Sequence, residues 1–133
     1  MNTDAAPSKA VAIAMKHVEA FSNHEYETAR SLLAEDVHFI LITSIPGFPN
    51  PVEGNGVEEF MKRLTSRNML IPGSLQVLHS IGDDHQAFIT VSVKGTLSTQ
   101  EPMTLLAARH YVIDENEKIT NELVIASPYE GKV

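Results

Sequence analysis

The chain has 133 residues, 43% of them hydrophobic, which suits one domain with a buried core, read here as a single unit over residues 1–133. Ten Lys and Arg against seventeen Asp and Glu leave a net charge of -7, which repels phosphates and anionic membrane surfaces and excludes nucleic acid and membrane as partners. The absence of cysteine removes disulfides, thiolate metal sites and a cysteine nucleophile, and fits a reducing, cytoplasmic setting.

Near the start, Lys16 and His17 interrupt the apolar run, and no stretch approaches ~18 apolar residues, so neither a signal peptide nor a membrane span is expected. The first helix is predicted over residues 8–22. At about 100° per residue, Ala10, Val11, Ala14, His17, Val18 and Phe21 share an apolar arc opposite Lys9, Ala12, Lys16 and Glu19. His17 therefore points inward. A second helix is predicted over 25–34, with Ser22 and Glu25 spaced as a capping box and Tyr26, Ala29 and Leu33 as its buried stripe. "VHFILI" at 37–42 is short and rich in branched residues, and reads as a strand.

"SIPGFPNPVEGNG" holds three prolines and three glycines in thirteen residues and is expected to be an ordered rim loop without regular structure. Its "GNG" follows no strand in this reading and is a helix entry, not a phosphate cradle. Val57, Phe60, Met61 and Leu64 then space a third helix that ends before Pro72-Gly73. Alternating patterns at 75–81, 86–94, 103–113 and 118–127 predict four strands, separated by "GDDH", "GTLSTQEP" and "DENE". The expected fold class is α+β, with helices packed on one face of an antiparallel sheet.

An arginine inside the packable stretch "ARHYVI" needs a partner, since a buried guanidinium is costly alone. If "DENE" closes a tight hairpin that pairs Ile113 with Lys118, Arg109 falls opposite Glu122. Ala107, Tyr111, Thr120 and Val124 then share their face, and Ala108, His110, Val112, Asn121, Leu123 and Ile125 take the other. A slip of one residue would separate Arg109 from Glu122 across the sheet.

The order of these elements, with "VEAFSNHEYETARSLLAEDVHF", "EGNGVEEF" and "RHYVIDENEKI", resembles the nuclear transport factor 2-like superfamily, in particular its SnoaL-like and ketosteroid isomerase-like branch. The resemblance implies a cystatin-like cone: three N-terminal helices inside a strongly curved, mostly antiparallel sheet, around an apolar pocket. It also implies a homodimer through the outer sheet face. By position, His17 and Arg109 fall where the isomerase keeps its two oxyanion donors, and Leu41 falls where it keeps its proton-shuttling aspartate. Limonene epoxide hydrolases resemble the arrangement through an acid, arginine, acid set, of which Arg109 and Glu122 supply two members and Tyr111 stands near the third.

Two readings of these residues stay open. In one, His17 satisfies a structural hydrogen bond and Arg109 with Glu122 closes the sheet as an ion pair. In the other, His17, Arg109 and Glu122 are catalytic or ligand-facing, in a pocket lined by Ile13, Phe21, Tyr26, Leu41, Tyr111 and Val124. The function expected is a small-molecule-binding cone for an apolar ligand with a carbonyl or carboxylate end. The alternatives are an isomerase, cyclase or hydrolase with His17 and Arg109 as oxygen donors and Glu122 as base, and a dimeric interaction module with an inert cone. His24, His38, His79, His85 and His110 lack metal-ligand spacing, so neither metal nor cofactor is expected.

Overall fold

The computed structural model describes residues 7–66, 68–96 and 102–131. Helix α1 spans Lys9–Ser22, and its N-cap Ser8 accepts a hydrogen bond from the Val11 N–H at 3.3 Å. Its inward arc buries Ala10, Val11, Ala14, His17 and Val18, as the spacing predicts. Helix α2 is shorter than expected, Tyr26–Ser31, because the chain pairs into strand β1, Leu33–Thr43, as soon as it can. The Ser22–Glu25 capping box does not form. Helix α1 runs through Ser22 and closes at Asn23, whose N–H bonds the Glu19 carbonyl, so Ser22 lies inside one helix instead of capping the next.

The rim loop holds a strand that its glycines and prolines concealed: β2, Val52–Asn55, pairs antiparallel with β1. Gly54 permits this, since a Cβ there would stand 2.8 Å from Phe39 Cζ. Helix α3, Val57–Thr65, buries Phe60 and packs on β1. Strands β3 (Gln76–Gly82), β4 (Gln86–Thr96), β5 (Pro102–Ile113) and β6 (Ile119–Pro128) follow. The middle of the "GTLSTQEP" turn lies outside the described residues.

One curved six-stranded sheet results, in the order β2-β1-β6-β5-β4-β3, antiparallel except for the β1–β6 pair. Its inner face contributes Phe39, Ile89, Val91, Ala107, Tyr111 and Val124 to the core shared with α1 and α3. Its outer face leaves Phe88, Ile125 and Ile81 at 53%, 50% and 73% exposure, with Phe88 stacked on His110 at 4.4 Å. No helix among the described residues is long and apolar enough to cross a membrane.

The β5–β6 register differs from the expected one in an instructive way. Ile113 pairs with Ile119, one residue beyond Lys118, because Asp114 closes the turn: its N–H bonds the Lys118 carbonyl and its Oδ1 accepts from the Asn116 and Lys118 N–H groups. A bulge between Val112 and Ile113 then adds a second one-residue shift, so Arg109 pairs with Val124 and Tyr111 with Glu122. Two slips of one residue restore the parity of the faces. Arg109 and Glu122 therefore remain on the inner face as diagonal neighbours, not directly opposite. Thr120, expected on that face, is the residue the bulge displaces, and its hydroxyl turns to the Val112 carbonyl at 3.3 Å.

Candidate functional site

A cavity of about 100 Å³ lies between α1, α3 and the inner face of the sheet. Its inner end is polar, where His17 comes from α1, Arg109 from β5 and Glu122 from β6. Apart from Asn68, the rest of the wall is apolar: Phe21, Leu41, Phe60, Leu64, Val93, Leu105, Ala107, Val124 and Ala126, with Ile45, Phe48, Met69 and Leu70 toward the other end.

His17 and Arg109 are each held in place by a contact behind them. The His17 Nδ1–H donates to the Ala29 carbonyl at 3.0 Å, which fixes the ring, since a carbonyl can only accept. Nε2 is thereby turned to Glu122 Oε2 at 3.5 Å. Arg109 Nη1 donates to the Tyr111 hydroxyl at 2.9 Å and lies 3.7 Å from the same Glu122 oxygen. The side chains of Arg109 and Glu122 keep 13% and 4% of their surface. Arg109 Nε and Glu122 Oε2 are buried without a hydrogen-bond partner in the protein, an unused donor and an unused acceptor on two residues of the cavity wall.

Electrostatics fix the charges of the cluster. Burial alone would push the Glu122 carboxyl up, but the His17 imidazole, the Arg109 guanidinium and the Tyr111 hydroxyl outweigh it and hold the group below the ordinary carboxylate value. Burial drives the Tyr111 hydroxyl well above its ordinary value, against the pull of Arg109, so it stays a neutral phenol. Burial opposes the charge on Arg109 as well, yet Tyr111 and Glu122 raise its value, and it remains a cation. The arrangement offers an oxygen atom the Arg109 guanidinium as donor, and offers a proton an ionised carboxylate.

Of the residues singled out in the sequence, His17, Arg109, Glu122, Phe21, Leu41 and Val124 stand together in the cavity wall. Ile13, Tyr26 and Tyr111 stand outside it. Ile13 packs on the core, fully buried Tyr111 backs Arg109, and the Tyr26 hydroxyl accepts from Asn68 Nδ2 at 3.0 Å.

Sequence reasoning missed the segment Asn68-Met69-Leu70. It is strapped to the wall: Asn68 Nδ2 also donates to the Phe21 carbonyl at 2.9 Å, the His24 ring bonds the Leu70 carbonyl at 2.7 Å, the Gly73 N–H bonds Asn23 Oδ1 at 2.8 Å, and the Thr96 N–H bonds the Met69 carbonyl at 2.9 Å. The one legible signal was an apolar run, "MLI", in a stretch with no helix or strand period.

The SnoaL-like domain profile matches residues 14–122. The sequence matches none of the curated proteins. Among solved structures, a Mycobacterium tuberculosis protein in complex with estradiol-17beta-hemisuccinate is similar, with TM-score 0.67, 15% identity and coverage of 93% of this chain and 95% of that one. An epoxide hydrolase of the same organism, described as LEH-like, has TM-score 0.67 and 12% identity over 89% and 82% of the two chains. An NTF2-like protein from Burkholderia xenovorans has TM-score 0.65 and 10% identity over 89% and 88%. At such identities the likeness is one of fold.

Proposed function

The chain belongs to the SnoaL-like family, and from that premise we propose that it binds a small apolar molecule inside the cone by the molecule's oxygen-bearing end, a carbonyl or a carboxylate. The observation that carries this reading is the buried His17, Arg109 and Glu122 cluster at one end of a cavity whose wall is apolar apart from Asn68, the usual anatomy of a small-molecule site. A steroid ester bound to one structural relative and an epoxide hydrolase among the others agree with such a use of the fold. The test is a thermal-shift and calorimetric screen of apolar ketones, alcohols and acids against the native protein and Ala126→Phe, which fills the cavity. Ligands that bind the native protein and not the variant support the reading; binding unaffected by the filled cavity refutes it.

Catalysis is the second reading, and the ionised state of Glu122 favours it. With the carbonyl oxygen held by the Arg109 guanidinium, Glu122 would take a proton from the adjacent carbon, a role Leu41 cannot fill. Incubation of a bound ketone in D2O, followed by NMR, would show exchange α to the carbonyl that disappears in Glu122→Gln. No exchange above the buffer rate would leave binding alone.

We also propose that the protein acts as a cytoplasmic homodimer. The uncharged outer face around Phe88, Ile81 and Ile125 is too apolar for a free surface, and a second copy of it is self-complementary.

A further inference from the structure

The binding reading puts an oxygen-bearing end, a carbonyl or a carboxylate, at the inner end of the cavity, and the groups there point to a different oxygen class at that same place. Two features bear on the choice. First, the polar end is balanced. Arg109 brings a positive charge and Glu122 a negative one 3.7 Å away, so a ligand carboxylate would gain little from the first that the second does not oppose. Second, the unused groups are of opposite kinds, the N–H at Arg109 Nε and the acceptor at Glu122 Oε2. A ketone or an ether can meet only the donor. A hydroxyl can accept from Arg109 and donate to Glu122 at once, and so satisfies both after a small movement of either side chain.

Size narrows the class further. An apolar protein cavity of about 150 Å³ accepts benzene, and the one here is about 100 Å³. A single ring is the body nearest this size, with the flexible Met69 yielding to admit it. A fused-ring body exceeds that volume.

Resting on the binding reading above, we infer that the preferred ligand is a neutral single-ring hydroxyl compound, a phenol or cyclic alcohol, whose hydroxyl bridges Arg109 and Glu122, and that the cavity discriminates against the corresponding carboxylate and ether. Thereafter the apolar ring lies against Phe60, Leu41 and Val124.

The test is calorimetry at neutral pH with 4-ethylphenol, 4-ethylanisole and 4-ethylbenzoate, which share one apolar body, and with estradiol as the larger hydroxyl compound. The phenol is expected to bind about tenfold or more tighter than the ether and the benzoate, the effect of one charge-assisted hydrogen bond. It should also bind more tightly than estradiol. Glu122→Gln removes the opposing charge and should raise benzoate affinity relative to the phenol. The native series decides even where that variant folds poorly. Benzoate or ether binding as tightly as the phenol overturns the hydroxyl class while the pocket stands, and tighter estradiol binding overturns the single-ring limit. Failure of all four compounds to bind overturns the pocket reading and this inference with it.

Discussion

Replacing Arg109 by Met leaves the Glu122 carboxylate, 4% exposed, with only His17 at 3.5 Å and the Tyr111 hydroxyl to offset its burial. Stranding a buried charge costs about 3 kcal/mol at the lower end of the usual range, and Glu122→Leu strands Arg109 at a similar cost. If the residues were independent, the double variant would lose about 6 kcal/mol, the sum of the two. Because the pair is coupled across the β5–β6 diagonal, Arg109→Met with Glu122→Leu removes both charges together, and the loss should not exceed about 4 kcal/mol. The assay is urea denaturation of the four proteins at one fixed concentration, since stability of a dimer depends on it. A double variant as unstable as the sum of the singles would refute the inner-face pairing.

Acid should expose the same pair. Glu122 has a folded value below its ordinary one, so its contribution is fully present above the ordinary carboxylate value of about 4.3 and is lost as pH falls through the lower folded value. Melting temperatures across that window should therefore drop more steeply for the native protein than for Glu122→Gln. Tyr111→Phe removes the acceptor of Arg109 Nη1 and is expected to cost about 1–3 kcal/mol in urea, while leaving the fold intact by circular dichroism. Gly54→Ala brings a Cβ within 2.8 Å of Phe39 Cζ and should cost about 1–3 kcal/mol, whereas Gly47→Ala meets no neighbour within 4 Å and is strained only by its backbone angle of +83°. Light scattering should give twice the 14.6 kDa chain mass for the native protein and one chain mass for Phe88→Glu; a native monomer would refute the dimer.

The parts legible in the sequence were those set by local period. The arc of α1 placed His17 inward because its neighbours at helical spacing are apolar, and alternation located β3 to β6 to within about two residues. Strand β2 was hidden because its pairing depends on Gly54 meeting Phe39, a contact between strands that composition does not encode. The diagonal between Arg109 and Glu122 was legible only as a shared face. Its register hangs on the Asp114 turn and the bulge at Thr120, where the two offsets compensate. The wall segment Asn68-Met69-Leu70 was out of reach for a different reason: it owes its place to tethers from Asn23, His24 and Tyr26, more than forty residues away in the chain.

Under the proposed function, the cone binds a molecule with its oxygen at the Arg109 and Glu122 end. A crystal structure of the protein with 4-ethylphenol tests it directly. Density for the ring among Phe60, Leu41 and Val124, with the hydroxyl about 3 Å from Arg109 and Glu122, is the predicted result. A hydroxyl turned instead toward Phe48 and Met69, or a compound seated outside the cavity, would contradict it.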